Sequence, residues 1–192
     1  VLEAGNLTSS RSDSWLGVLR RYLLLVAAAS FLWEICQLPG FADWRNGSWG
    51  WLAFIAIIGT VGDVLIAATA LALALVCFGD DRWPERRSSY WRVAAMAWVL
   101  GLVYTAHSEW RNAVVLHTWT YSSLMPVLPV LGIGLFPLLQ WILIPAAIFY
   151  YMRLKIPRVK RAHPANSKAL NRARRSPDAD PAESRSRPSA DD

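Results

Sequence analysis

Two cysteines, three methionines and three histidines in 192 residues leave little material for metal or thiol chemistry. Cys36 and Cys77 sit in different apolar blocks with no C-x-x-C spacing, and no H-x-x-x-H pair occurs, so zinc, haem and dithiol readings find no ligand set. A phosphate-cradling G-x-x-x-x-G-K loop is missing, as are a G-x-S-x-G elbow and an H-E-x-x-H helix. These absences argue against ATP-driven, serine-hydrolase and zinc-protease activities, and no soluble cofactor is expected. Charge is also scarce, at 18% of residues, and it is nearly excluded from four long stretches.

What is present is apolar and gathered into blocks. Hydrophobic residues make up 54% of the chain, with 11 tryptophans. About 20 apolar residues cross a hydrocarbon layer roughly 30 Å thick. Four segments meet that length: about 22–39, 49–78, 91–108 and 128–152. Their lack of period-2 alternation selects helices over a β-barrel. The expected fold class is therefore all-α, a polytopic membrane protein with four transmembrane helices in a domain spanning 14–155. Residues 1–13 are polar and read as a flexible N-terminus. Residues 156–192, basic and then rich in Ser, Pro and Asp, read as a disordered cytoplasmic tail.

Eighteen of the twenty Lys and Arg residues fall before the first span, between the second and third, or after the fourth; Arg45 and Arg111 are the exceptions. By the positive-inside bias both termini are cytoplasmic. The formal charge of +6 then reflects topology rather than nucleic-acid binding, and the basic tail is expected to lie on anionic lipid headgroups. The first span lacks a small-residue cleavage site and reads as retained. Size and Arg-rich composition point to a bacterial inner membrane. Most of the tryptophans read as an interfacial belt.

The stretch "FLWEICQLPGF" places Glu34 and Gln37 inside the first span, and "GTVGD" places Asp63 near the middle of the second. A carboxylate at membrane depth costs roughly 2.5–3.5 kcal/mol on insertion scales, so it faces the bundle interior and marks a functional site by default. The second block would be about 45 Å long as one helix. Either it breaks at Gly59–Gly62, bringing Asp63 to an irregular step, or it tilts as one helix with both glycines as packing positions. Glu34 and Asp63 are the candidate catalytic pair, as proton donor or cation stabiliser. Trp33, Gln37, Trp119, Tyr121 and Gln140 are the candidate substrate-binding residues, with His107 and Glu109 as secondary candidates. A structural reading competes, in which Glu34 and Gln37 clamp Gln140 or His107, and Glu109 pairs with Arg111.

The run "HTWTYSSLMPVLPVLGIGLFPLLQWILIP", 117–145, resembles the lycopene cyclase domain of membrane-bound carotenoid cyclases, with its W-x-Y pair and proline-containing helix. In that family two glutamates follow the proline, whereas Pro137 is followed here by Leu138, Leu139 and Gln140. Residues 33–63, with "WEICQ" and the later "GD", resemble VanZ-like small membrane proteins, without the basic residue usual before the Asp. Both resemblances imply a small polytopic protein whose intramembrane acids and amides meet a lipid-like or isoprenoid molecule. The expected function is to bind or transform such a molecule. A non-enzymatic accessory subunit of a larger membrane complex and a proton-coupled or metal-handling transporter are the alternatives. Expected partners are membrane lipids, a second copy of the chain or a larger membrane complex, and no nucleic acid.

Overall fold

The structure, a computed structural model, describes residues 2–80 and 83–155, with side chains from residue 16 onward. The tail expected to be disordered, 156–192, lies outside the described residues. Helix α1 runs Leu2–Gln37 and passes through a 3-10 turn at Leu38–Gly40; a single turn, α2, follows at Asp43–Asn46. Helix α3 spans Trp49–Phe78, and α4 spans Arg87–Glu109 and continues as a π-helical turn at Trp110–Val115. A two-stranded antiparallel hairpin, β1 Val127–Leu128 and β2 Ile133–Gly134, leads into α5, Leu135–Lys155. Among the described residues three segments are long and apolar enough to cross a membrane: Leu16–Gly40, α3 and α5.

Local chemistry explains where the helices start and stop. Pro39 lacks an N–H and disfavours helical geometry in the residue before it, which converts the end of α1 into a 3-10 turn. The Ser48 hydroxyl accepts from the Trp51 amide at 3.2 Å and caps α3. From there α3 is one unbroken helix of 30 residues, so no irregular step occurs at Gly59–Gly62. The helix formers on either side of the glycines outweigh their cost, and in an apolar medium a broken backbone ladder would leave unpaired groups.

The fourth apolar block differs from its expected bounds. It does not enter a helix near residue 128, because Pro129 and Gly132, the latter at φ +68°, form the hairpin turn instead. Pro137 falls in the first turn of α5, where its missing N–H has no helical partner to lose. At the opposite terminus α1 extends back to Leu2, through the polar segment expected to be flexible. An established apolar helix adds further turns at little cost once nucleated.

The four long helices pack α1 on α3, α3 on α4, and α5 on both α1 and α4. Their best-filled interior lies toward the α3–α4 connection. There Tyr22 stacks on Phe149 with ring centroids 4.7 Å apart, and Tyr90 meets Phe149 edge-on and donates to its carbonyl at 2.6 Å. Trp83 stacks on Tyr90, while Leu71, Ala74, Val93 and Met152 close the remaining space. A basic rim surrounds this end. Arg153 donates to the Pro84 carbonyl at 3.2 Å and lies over the Tyr90 ring, and Arg21 and Lys155 lie over Tyr151.

Candidate functional site

The opposite end of the bundle is organised around polar side chains. On α1, Glu34 and Gln37 are three residues apart and share a face; both are buried. On α3, Asp63 is one turn beyond Gly59 and is 7% exposed. On α4, Gly101, Thr105 and Glu109 follow one another at four-residue intervals, and all three are buried. On α5, Pro137, Gln140 and Trp141 occupy the first two turns and are also buried. Four helices thus turn their polar faces into one space.

Asp63 is held by two donors from α5. The Trp141 indole N–H donates to Oδ1 at 3.0 Å, and the Gln140 amide donates to Oδ2. The Ser30 hydroxyl of α1 also reaches this carboxylate. Glu34 lies beside the Gln37 and Gln140 side chains and against the backbone of α3. A Cβ on Gly59 would sit 2.7 Å from Cδ of Glu34 and within 2.9 Å of both its oxygens, so only glycine leaves room for the carboxylate. Gly101 serves Trp141 in the same way, since a Cβ there would overlap the indole ring. Gly59 is thus a packing position for a functional side chain rather than a break, Gly62 has open space where a Cβ would stand, and Gly101 is a packing position on α4.

Glu109 does not pair with Arg111. Residues two apart on a helix do not face each other, and Arg111 is exposed while Glu109 is buried. Its partner is Tyr121, whose hydroxyl donates to Oε2 at 2.5 Å. Burial and the adjacent Glu109 carboxylate both push the Tyr121 phenol above its ordinary range, which keeps it the donor in this pair. Tyr121 is placed by the loops: Phe41 and Tyr121 form an isolated antiparallel bridge, Ala42 donates to the Thr120 carbonyl at 3.0 Å, and Ser122 donates to the Gly40 carbonyl at 2.9 Å. The connection after α1 is thereby stitched to the connection before α5.

Beneath this stitched layer is a cavity of about 480 Å³. Its walls include Glu34, Gln37, Asp63, Trp119 and Gln140 of the residues expected from the sequence, together with Glu109. Trp33 is outside the lining and holds Gln37 through an indole N–H to Oε1 bond of 3.1 Å. Tyr121 likewise acts through Glu109. His107 is exposed and outside the lining, so it clamps neither Glu34 nor Gln37. Thr105 and Trp141 also line it and were not singled out from the sequence. The four-residue rhythm Gly101, Thr105, Glu109 marks the polar stripe of α4 and was available in the sequence.

Among the described residues no group of three His, Cys, Asp or Glu side chains is close enough to hold a metal ion. Among the described residues the Thr105 hydroxyl is buried without a hydrogen-bond partner, while the Trp119 side chain lies beside Glu109 and Tyr121. No family model matches the chain. No curated protein and no solved structure matches it.

Proposed function

We propose that this chain is a four-span integral membrane protein, with α4 as the remaining span and both termini cytoplasmic, whose cavity binds or transforms a lipid or isoprenoid molecule in the outer half of a bacterial inner membrane. The observation that carries the reading is the cavity's apolar side. Phe54 and Ile58 line it and are also 52% and 53% exposed on α3. A molecule dissolved in the bilayer therefore has an apolar way in, and it then meets Glu34 and Asp63. Those two acids take the role of proton donor or stabiliser of positive charge, with Gln37 and Gln140 orienting them. Trp119 supplies an aromatic face. The α4 helix is 23 residues long, about 34 Å, which matches the hydrocarbon layer although Arg87, Arg92 and His107 lower its apolarity. The positive-inside distribution supports the orientation. The resemblances of 117–145 to the carotenoid cyclase domain and of 33–63 to VanZ-like proteins point to the same ligand class.

The test is the bound-lipid content of purified protein, measured by mass spectrometry for wild type, Glu34→Gln and Asp63→Asn. A specific lipid or isoprenoid in wild type that is lost or chemically altered in the variants is the expected result. Identical bulk lipids in all three would sink the reading and move attention to protein partners.

A further inference from the structure

The cavity is acidic without compensation. Glu34, Asp43, Asp63 and Glu109 line it, and among the described residues of its lining there is no Lys, Arg or His. The nearest bases in sequence, Arg45, His107 and Arg111, are exposed and outside it. The hydrogen bonds to Asp63 and Glu109 come from neutral donors, which satisfy lone pairs and leave the charges uncancelled. Removing carboxylates from water costs several kcal/mol each, and like charges facing one space add repulsion. A buried acid answers that cost by keeping its proton or by meeting a cation, and among the described residues the lining supplies no such cation.

The arrangement selects what kind of charge that is. A bare metal ion needs three or more ligands within about 2.6 Å of one point, and the described acids do not converge in that way. They are instead spread around a volume of about 480 Å³ that Trp44, Trp51, Phe54 and Trp119 share. Aromatic faces attract cations and tolerate bulk. A second, independent feature marks the same space as incomplete. The Thr105 hydroxyl, on a residue 6% exposed, has no hydrogen-bond partner among the described residues. Thr60, on α3, shows the usual alternative by donating back to the Ala56 carbonyl at 2.7 Å.

Resting on the reading of this cavity as a lipid or isoprenoid site, we infer that its ligand carries a positive charge: a bulky apolar molecule bearing an ammonium or comparable organic cation, whose charge lies among Glu34, Asp63 and Glu109 while its apolar part lies along Phe54 and Ile58.

The experiment uses an isosteric pair of ions, tetraphenylphosphonium and tetraphenylborate, titrated into the full chain in a non-ionic maltoside detergent and followed by tryptophan fluorescence and calorimetry. The expected result is saturable binding of the phosphonium, with the borate at least about tenfold weaker, and a loss of about tenfold or more in phosphonium affinity in Asp63→Asn. Because the comparison of the two ions is made on wild type, it stands even if a variant fails to fold. Equal binding of the two ions, or preference for the borate, overturns the charge assignment and leaves the apolar cavity in place. Binding of neither ion, with a specific neutral lipid still co-purifying, overturns the cation inference alone. Binding of neither ion and no specific lipid overturns the cavity reading as well.

Discussion

Toward the α3–α4 connection, Tyr22, Trp83, Tyr90, Phe149 and Met152 fill the interior and are each at most 3% exposed; toward the other end, the same four helices surround about 480 Å³ lined by acids and aromatic rings. The filled end uses its polar atoms to lock packing, as when the Tyr90 hydroxyl bonds the Phe149 carbonyl. The hollow end uses small residues to admit large polar ones: Gly59 makes room for Glu34, and Gly101 for Trp141. Stability should therefore reside mainly at one end and ligand chemistry at the other. The junction between them is Trp141, which belongs to the apolar cluster and also donates to Asp63.

Phe149→Ala should break the comparison most severely on the stability side. It removes a ring packed against both Tyr22 and Tyr90, and a cavity of that kind costs about 3–5 kcal/mol. The thermal midpoint in detergent should fall steeply, while protein that remains folded keeps the lipid content of wild type. Gly101→Ala comes next. Its methyl would overlap an aromatic ring fixed by its own hydrogen bond, and overpacking of this kind costs about 1–3 kcal/mol. Since the ring it displaces holds Asp63, both melting and ligand binding should suffer, and damage to only one would show that Trp141 does not join the two ends.

Trp141→Phe keeps most of the packing and deletes the donor. Leaving one Asp63 oxygen short of a partner should cost about 1–3 kcal/mol. Combining it with Asp63→Asn in a double-mutant cycle should reveal a coupling energy between the two sites; additive effects would deny that the bond matters. The smallest expected change in stability is for Gly59→Ala, under about 1 kcal/mol, because the atoms it meets are the free end of the Glu34 side chain and can swing aside. Bound ligand measured by mass spectrometry should nevertheless drop, since the carboxylate leaves its position. A large fall in melting temperature with unchanged ligand content would reverse the assignment of this glycine.

Much of the hollow end could be read before the structure. Glu34, Gln37 and Asp63 stand out because a charged or amide side chain in an apolar run has few bland explanations, and all three line the cavity. Relative rotation of helices was not legible. His107 and Glu109 are neighbours on one helix with equal claims by type, yet one faces out and the other in. Trp33 was singled out and Trp141 was not, although both are tryptophans in apolar blocks; the structure makes the first a support for Gln37 and the second a donor to Asp63. The start of α5 was misplaced because Pro129 and Gly132 sit in an otherwise apolar run, where composition alone does not separate a hairpin turn from a kinked helix.

That long apolar helices form, which of them carry acids, and that α3 has the length of a full crossing all depend on residues adjacent along one chain segment, and are legible without any tertiary contact. Tertiary packing settles that Glu34, Asp63 and Glu109 share a cavity whose described lining holds no base, that Tyr121 and not Arg111 meets Glu109, and that Gly59 and Gly101 make room for Glu34 and Trp141. Those facts depend on how far each helix is turned about its axis and which neighbours it touches. Those rotations are set by the sum of many small contacts between residues distant in sequence.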